Sequence, residues 1–234
     1  MRSRLIIVPF WSFCSVVCAE YAHERMFLSF IYGIYGEITP CRVKKSYMSE
    51  TMPPSKLILT RPVALVGMMG AGKSAVGHAL ADLLGVDFLD SDAALTQAAN
   101  MSIAEIFERD GEAFFRARET EVIDRLLTEA PGIVSTGGGA FLAEANRALI
   151  SSKGVSVWLK ADLDLLWSRV RHKTTRPLLR TADPRATLAE IFEARDPIYA
   201  LADLAVEADE AYSIGQMADA VLKALIGAGI VKES

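Results

Sequence analysis

Residues 67–74 read GMMGAGKS, a glycine-rich turn that ends in a lysine and a serine. The turn follows the apolar run VALV at 63–66 and precedes the amphipathic stretch AVGHALADLL at 75–84, so it lies between a predicted strand and a predicted helix. In this context the pattern GxxxxGK[ST] forms a phosphate-binding loop. Glycines allow backbone N–H groups to face phosphate oxygens, and the helix N-terminus adds partial positive charge. We therefore predict that residues 67–74, named the phosphate loop below, bind a nucleoside triphosphate.

The phosphate loop alone does not identify the molecule that receives the phosphate. A glycine-rich turn with a chance lysine is the structural alternative, and the flanking strand and helix disfavour it. GTPases, motors, transporter ATPases and small-molecule kinases all use such a loop. The sequence contains no guanine-reading NKxD, and 234 residues are few for a transporter ATPase. The length and the compact spacing favour a small-molecule kinase.

Short apolar runs alternate with amphipathic stretches from about Lys56 onward, which predicts an α/β fold with a parallel sheet. The predicted strands are 63–66, 86–89, 133–135, 155–159 and 204–207. Capping-box patterns open three predicted helices: Ser102 with Glu105, Thr187 with Glu190, and Ser213 with Gln216. Gly111 is predicted to end the first of these helices. The basic, proline-containing stretch 172–187 is predicted to be a mobile loop.

Residues 1–55 differ from the rest of the chain. Two arginines precede an apolar run broken by Pro9, which resembles the first two regions of a signal peptide. The run is too short for a comfortable membrane span. We predict a disordered extension that is either a mis-called start, with Met48 or Met52 as the true one, or a targeting segment; an ordered accessory element is the third alternative. The working domain is then 56–234.

The overall composition excludes some classes of partner. The chain is 51% hydrophobic and 23% charged, which is ordinary for a globular protein. Its net charge of −4 lacks the positive excess that is typical of nucleic-acid-binding domains. The three cysteines, Cys14, Cys18 and Cys41, form neither a disulfide framework nor a zinc spacing. We expect a cytoplasmic protein with no nucleic-acid partner and no membrane association of its mature domain.

Two carboxylates, Asp90 and Asp92, follow the predicted strand 86–89 with only Ser91 between them. Ligands of a parallel α/β sheet bind beyond the carboxyl ends of the strands, so both carboxylates are expected to face the γ-phosphate. Alternation along a strand would place the two on one side and Ser91 on the other. One carboxylate can then orient metal-bound water while the other accepts the proton of an attacking hydroxyl. The alternative is that one of them, Asp92 in particular, caps the next helix.

Four further segments carry polar or glycine-rich patterns. Arg116 and Glu119 share one face of a predicted helix, and three glycines at 137–139 follow a predicted strand. Arg176 lies in the basic loop, and Arg195 begins the segment RDPIY at the end of the next helix. Taken singly, these features have plain explanations as a surface ion pair, a turn and a solvated loop.

Taken together, the segments resemble the shikimate kinase family over about residues 57–225. The matching elements, in the family's order, are GMMGAGKS, FLDSD, GEAFFRARE, STGGGA, RPLL and RDPIY. The resemblance implies a P-loop kinase fold, similar to nucleoside monophosphate kinases, with a five-stranded parallel sheet flanked by helices on both faces and a mobile lid. It also implies a monomer that phosphorylates the 3-hydroxyl of shikimate with ATP and Mg²⁺, in the chorismate route to aromatic amino acids.

The resemblance assigns roles to individual residues of this chain. The nucleotide would be bound by Gly70, Ala71, Gly72, Lys73, Ser74, Ala75, Arg169 and Arg176, with Arg169 against adenine and Arg176 reaching the phosphates from the lid. The catalytic residues would be Lys73, Arg176 and Asp92, which is the expected base. Mg²⁺ would be held by Ser74 and Asp90. Shikimate would contact Asp92, Arg116, Gly137, Gly138, Gly139 and Arg195, with both arginines on its carboxylate.

The chain also departs from the family pattern, and two rival functions remain. Residues 1–55 have no counterpart in the pattern, and the region near Ala211 lacks the glutamine with which some members contact adenine. A gluconate kinase, the nearest rival, would lack the paired aspartates and the carboxylate-directed Arg116 and Arg195. A non-catalytic, ATP-responsive module would have lost Lys73, Asp92 or the lid arginine, and all three are present.

Overall fold

The computed structural model describes residues 57–129, 131–172 and 177–233. The predictions for the extension 1–55, and those for Arg176 as a lid residue, lie outside the described residues. None of the helices within the described ranges has both the length and the apolar character needed to cross a membrane.

A five-stranded parallel sheet forms the centre of the domain, with the strand order β3-β4-β2-β5-β6. The strands are β2 (Val63–Val66), β3 (Phe88–Asp90), β4 (Ile133–Ser135), β5 (Val155–Lys160) and β6 (Leu204–Glu207). Four of the five match the predicted ranges, with β5 one residue longer. The strand predicted at 86–89 begins at Phe88 and includes Asp90. β2 is central and wholly buried, which explains why VALV is a continuous apolar run rather than an alternating one.

Seven helices connect and flank the strands in the described part of the chain. They are α1 (Lys73–Leu84), α2 (Ser91–Ala99), α3 (Ile103–Glu129), α4 (Glu144–Lys153), α5 (Leu163–Val170), α6 (Pro184–Tyr199) and α7 (Ile214–Gly227). The capping boxes at Ser102 and Ser213 are confirmed by reciprocal side-chain bonds to the backbone. Gly111, with φ 81° and ψ 173°, is not helical, so the helix that begins at Ile103 ends there as predicted, and a second helical stretch continues to Glu129 under the same label α3.

The predicted capping box at Thr187 is wrong. The side chain of Asp183 accepts a hydrogen bond from the backbone of Ala186, and Pro184 occupies the first position of α6. Proline is favoured there because its missing N–H has no intrahelical partner to lose. The predicted loop 172–187 is therefore shorter than expected, since α6 takes its last four residues and a 3₁₀ turn forms at Pro177–Leu179.

A second, two-stranded antiparallel sheet was not predicted. β1 (Leu57–Leu59) pairs with β7 (Val231–Glu233), so the two ends of the domain are hydrogen-bonded to each other. Thr60 extends the contact through its N–H and its hydroxyl, both of which donate to the carbonyl of Ile230. Strands of three residues are too short to give a periodic hydrophobic signal, and their partner lies at the other end of the chain. Leu59 and Val231 are buried in this sheet.

Removal of β1 tests where the folded domain begins. A protein that starts at Met52 keeps β1 and should have a normal free energy of unfolding. A protein that starts at Arg61 loses the β1–β7 pairing and the buried Leu59 side chain, so its free energy of unfolding should fall by roughly 2–5 kcal/mol. Urea denaturation of the two proteins measures the difference. Equal stabilities would mean that β1 contributes nothing to the fold.

Candidate active site

The phosphate loop is held in shape by positive backbone angles that only glycine adopts easily. Gly70 has φ 86° and Gly72 has φ 98°, both in the left-handed region. A Cβ on Gly70 would also lie 2.7 Å from a methyl carbon of Val170 in α5, so a side chain at this position would clash with that helix. α1 begins at Lys73, directly after this turn. The first N–H groups of α1 lack carbonyl partners in their own helix, and they point into the loop.

The two polar residues at the start of α1 lie where the motif requires them. The Lys73 ammonium donates to the carbonyls of Gly67 at 2.7 Å and Met68 at 3.2 Å, which holds it against the phosphate loop. The Ser74 hydroxyl donates to Asp90 Oδ2 at 3.3 Å and lies 3.4 Å from the hydroxyl of Ser135. One carboxylate and two hydroxyls therefore meet at the carboxyl ends of β3 and β4.

This polar cluster fits a magnesium ion of the kind that accompanies a nucleotide. Within the described ranges, no group of three His, Cys, Asp or Glu side chains could form an all-protein metal cage. Mg²⁺ does not need such a cage, because it keeps several waters and binds through one or two protein oxygens together with substrate phosphates. Ser74 and Asp90 supply that small donor set. Ser135 is the third polar residue of this cluster. It belongs to the motif STGGGA, but the sequence analysis predicted no function for it.

The two aspartates occupy different elements, which corrects the expectation that they share one side of a strand. Asp90 is the last residue of β3, while Asp92 lies in the first turn of α2. Asp90, rather than Asp92, caps the helix: its Oδ1 accepts from the backbone N–H of Asp92 at 3.0 Å and of Ala93 at 3.1 Å. Its other oxygen contacts Ser74, so one carboxylate both caps α2 and completes the polar cluster.

Asp92 lies against the glycine segment 137–139. A Cβ on Gly137 would be only 2.5 Å from Asp92 Oδ1, so the carboxylate occupies the space that a side chain would fill. The buried hydroxyl of Ser91 fixes this approach by accepting a hydrogen bond from the Gly137 N–H at 3.1 Å. Asp92 therefore lies at the glycine segment because of a close backbone approach that only glycine permits.

Arg116 approaches the same segment from α3. Its two terminal nitrogens lie 3.0 Å from the position of a Cβ on Gly139. The guanidinium donates to Glu119 Oε2 at 2.9 Å and more loosely to the exposed Glu112. Arg116 is therefore fixed by carboxylates of its own helix, with one edge facing the glycine segment.

Glu119 is the residue whose importance the sequence analysis underestimated. A surface ion pair was the plain interpretation of its spacing from Arg116, but Glu119 is only 2% exposed. Burial raises the pKa of its carboxyl, Arg116 opposes the rise, and the nearby charge of Asp92 adds to it. Helical spacing could not reveal this burial, because the neighbours that cover Glu119 come from elsewhere in the chain.

Arg195 and Tyr199 reach the glycine segment from α6. Arg195 Nη1 donates to the carbonyl of Gly138 at 3.4 Å, and the buried hydroxyl of Tyr199 makes a short hydrogen bond to the same oxygen. Burial raises the pKa of Tyr199, against a smaller opposing effect of Arg195, so the hydroxyl stays protonated and donates. The two arginines that were predicted to bind one carboxylate thus lie at the same three-residue segment, although they are 79 positions apart in the sequence.

A cavity of about 510 Å³ joins the phosphate loop to the glycine segment. Its lining includes Asp90 and Asp92, together with Gly137 and Gly138; Arg116 and Arg195 lie at the glycine segment but are not part of this lining. Near the phosphate loop the lining residues include Gly70, Ala71, Gly72, Lys73, Ser74, Ala75, Arg169, Asp209, Tyr212, Ser213 and Ile214.

Arg169 contacts the phosphate loop itself. Its guanidinium lies 3.4 Å from the carbonyl of Gly70 and 3.3 Å from that of Ala71. The residues that line the cavity beyond it, Tyr212 and Ile214, are exposed apolar side chains next to the predicted adenine region. They follow Ala211, where the expected glutamine is missing, and they supply an apolar surface in its place.

The burial of Glu119 predicts a pH dependence of stability. A carboxyl whose pKa is raised in the folded state binds its proton more tightly there, so its contribution to stability is lost as pH rises above the ordinary value of 4.5. Glu119→Gln removes this loss. The free energy of unfolding of Glu119→Gln relative to the native protein should therefore increase between pH 4.5 and 7, with a slope no steeper than about 1.4 kcal/mol per pH unit.

Urea denaturation across that pH range measures the slope. Glu121→Gln removes an exposed carboxylate two residues along α3 and is the control with which the slope for Glu119→Gln is compared. If the free energy of unfolding of Glu119→Gln relative to the native protein stayed constant or fell as pH rises, the burial argument would be contradicted.

Comparison with known proteins places this site in a family. A family model described as shikimate kinase matches residues 69–226. The shikimate kinase of Ruegeria pomeroyi is 66% identical over 177 residues, which cover 76% of this chain and 91% of that protein. The shikimate kinase of Cereibacter sphaeroides is 63% identical over 167 residues, covering 71% of this chain and 83% of that protein. A solved structure of shikimate kinase from Acinetobacter baumannii in complex with shikimate matches with a TM-score of 0.67 and 35% identity, covering 72% of this chain and 94% of that chain. The chain belongs to the shikimate kinase family.

Proposed function

We propose that this protein transfers the γ-phosphate of ATP to the 3-hydroxyl of shikimate, giving shikimate 3-phosphate and ADP in the route to chorismate and the aromatic amino acids. The observation that carries the proposal is the arrangement around the glycine segment 137–139. Asp92 lies against it, and Arg116 and Arg195 approach it from two other helices. A Cβ on Gly138 would come within 3.8 Å of the Met69 N–H in the phosphate loop, so acceptor and donor sites are adjacent.

The nucleotide half of the reaction belongs to the phosphate loop and α1. Backbone N–H groups and the Lys73 ammonium bind the phosphates and stabilise the charge that develops on them in the transition state. Mg²⁺ held by Ser74 and Asp90 would neutralise part of that charge when bound. Adenine would lie between Arg169 and the apolar side chains of Tyr212 and Ile214. Arg176 remains the predicted lid residue that reaches the phosphates.

The acceptor half depends on position more than on basicity. Asp92 accepts the proton of the attacking hydroxyl, and it also holds that hydroxyl beside the phosphate loop. Phosphoryl transfer passes through a loose transition state, so an ordinary carboxylate is sufficient as the base. Most of the rate enhancement then comes from holding the hydroxyl and the phosphate in line.

The acceptor's carboxylate would be recognised by Arg116 and Arg195. A guanidinium donates two parallel N–H bonds to a carboxylate, which a neutral sugar cannot accept in the same way. This charge recognition separates a shikimate site from that of a kinase for an uncharged polyol. We further propose that the domain works as a monomer in the cytoplasm, where ATP is available.

An assay of ADP release tests the function directly. Purified protein with ATP and Mg²⁺ should turn over when shikimate is added. The methyl ester of shikimate keeps all three hydroxyls but lacks the negative charge, and it should be a poor acceptor. Gluconate is the rival substrate and should give no turnover. Efficient phosphorylation of the ester would contradict the proposed recognition of the carboxylate, and efficient phosphorylation of gluconate, which also carries a carboxylate, would contradict shikimate as the proposed acceptor.

Arg116 and Arg195 predict a selective loss of acceptor binding. Replacing either with leucine should raise the KM for shikimate strongly and leave the KM for ATP nearly unchanged, because the substrate carboxylate loses a charge-assisted partner. Such a loss typically costs about 2–5 kcal/mol. Arg118→Leu is the matched control, since Arg118 lies on the exposed face of the same helix and pairs with Glu121. Equal damage to both KM values would assign the two arginines to the fold or to the nucleotide.

Asp90 and Asp92 are separated by their response to magnesium. Asp92→Asn loses the proton acceptor, so kcat should fall by roughly 10²–10⁴ without rescue at high Mg²⁺. Asp90→Asn keeps the helix cap, because asparagine caps as well as aspartate, but it weakens the metal site. Its activity should return in part as Mg²⁺ is raised. Initial rates over a Mg²⁺ titration measure both responses, and rescue of Asp92→Asn alone would reverse the two roles.

A further inference from the structure

A fully buried asparagine joins two of the elements that form the acceptor site. Asn146 lies in α4 and has no exposed surface. Its side-chain nitrogen donates to the carbonyl of Ala140 at 2.9 Å, directly after the glycine segment 137–139. Its side-chain oxygen accepts from the hydroxyl of Thr120 in α3 at 2.7 Å. Asn146 therefore bridges α3 and the end of the glycine segment with one planar amide group.

Thr120 connects this bridge to Arg116. The two residues are four positions apart on α3, so they lie one above the other on the same helical face. The Thr120 hydroxyl is also 3.0 Å from the carbonyl of Arg116. The bridge thus holds the turn of α3 that carries Arg116 at a fixed distance from the segment that Arg116 faces. That distance is small, since the terminal nitrogens of Arg116 lie 3.0 Å from the position that a Cβ would occupy if Gly139 had a side chain.

We propose that Asn146 and Thr120 are positioning residues for acceptor binding, which set the gap between Arg116 and the glycine segment. The proposal rests on the proposed function, because it assumes that Arg116 binds the acceptor's carboxylate. Asn146 is fully buried and is not part of the cavity lining, so it acts through the groups that it holds. A bidentate bond to a carboxylate requires the guanidinium to be placed accurately, and misplacement by about 1 Å can cost roughly 100-fold in rate.

Three substitutions separate positioning from general stability. Thr120→Val keeps the shape of the side chain and removes the hydroxyl, whereas Thr120→Ser keeps the hydroxyl. Asn146→Asp keeps the acceptor for Thr120 and replaces the donor to Ala140 with an oxygen. The matched control is Ser156→Ala in β5. Ser156 is also buried, and its hydroxyl exchanges hydrogen bonds with Asp203, but it lies near the amino end of its strand, away from the site.

The first measurement compares the KM for shikimate with the KM for ATP. Thr120→Val and Asn146→Asp should raise the KM for shikimate by roughly 5- to 50-fold and change the KM for ATP less than about twofold. Thr120→Ser should restore a nearly native KM. Ser156→Ala should lower the thermal midpoint as much as Thr120→Val but leave both KM values unchanged. A similar rise in both KM values, or the same rise for Ser156→Ala, would reduce the bridge to a packing feature and overturn the proposal.

The second measurement does not depend on turnover. Hydrogen–deuterium exchange of the folded Thr120→Val protein should rise at residues 137–140 and stay native in β5 and β6. Native protection at 137–140 would overturn the proposal even if the KM shift were seen. If the native protein failed to use shikimate, the proposed function would fall. A local rise in exchange would then still support the bridge between α3 and the glycine segment, and unchanged exchange would refute it.

Discussion

The acceptor site depends on the absence of side chains at residues 137–139. A Cβ on Gly137 would lie 2.5 Å from Asp92, and one on Gly139 would lie 3.0 Å from both terminal nitrogens of Arg116. Both contacts are too close for an undisturbed site, so a larger residue at Gly137 or Gly139 would displace Asp92, the proposed base, or Arg116, the proposed partner of the substrate carboxylate. The bare backbone lets a negative group and a positive group approach the same short segment from different helices. The placement of both groups relative to the phosphate loop follows from this one stretch.

The charges around that segment are balanced before any substrate binds. Glu119 is buried against Arg116, and burial of an ionised group is costly unless a partner compensates it. The ion pair fixes the orientation of the guanidinium, so a substrate carboxylate would meet a preorganised donor. Arg195 is oriented in the same way, through the Gly138 carbonyl that it shares with Tyr199. Orientation of this kind lowers the entropy that binding must remove.

The phosphate loop and the acceptor site differ in how local their determinants are. The loop was predictable because its strand, glycines, lysine and serine are contiguous, and their chemistry follows from their order. The acceptor site draws on β3, α2, α3, the glycine segment and α6. Its residues could be named from the family resemblance, but their contacts could not be derived from spacing. The paired aspartates illustrate this, since strand alternation predicted that Asp90 and Asp92 point to the same side, whereas helix α2 begins at Ser91, between them.

Hydrophobic runs and capping patterns in the sequence were sufficient to predict the parallel sheet, most strand bounds and two of three capping boxes, because these features arise from neighbours along the chain. They failed where a distant partner decides the outcome. β1 and β7 form only because the ends of the domain meet, and Glu119 is buried only because other elements cover it. The bridge from Thr120 through Asn146 to Ala140 has the same origin. Each polar group there is ordinary in its own segment, and it becomes specific only when folding removes water and leaves protein groups as its hydrogen-bond partners.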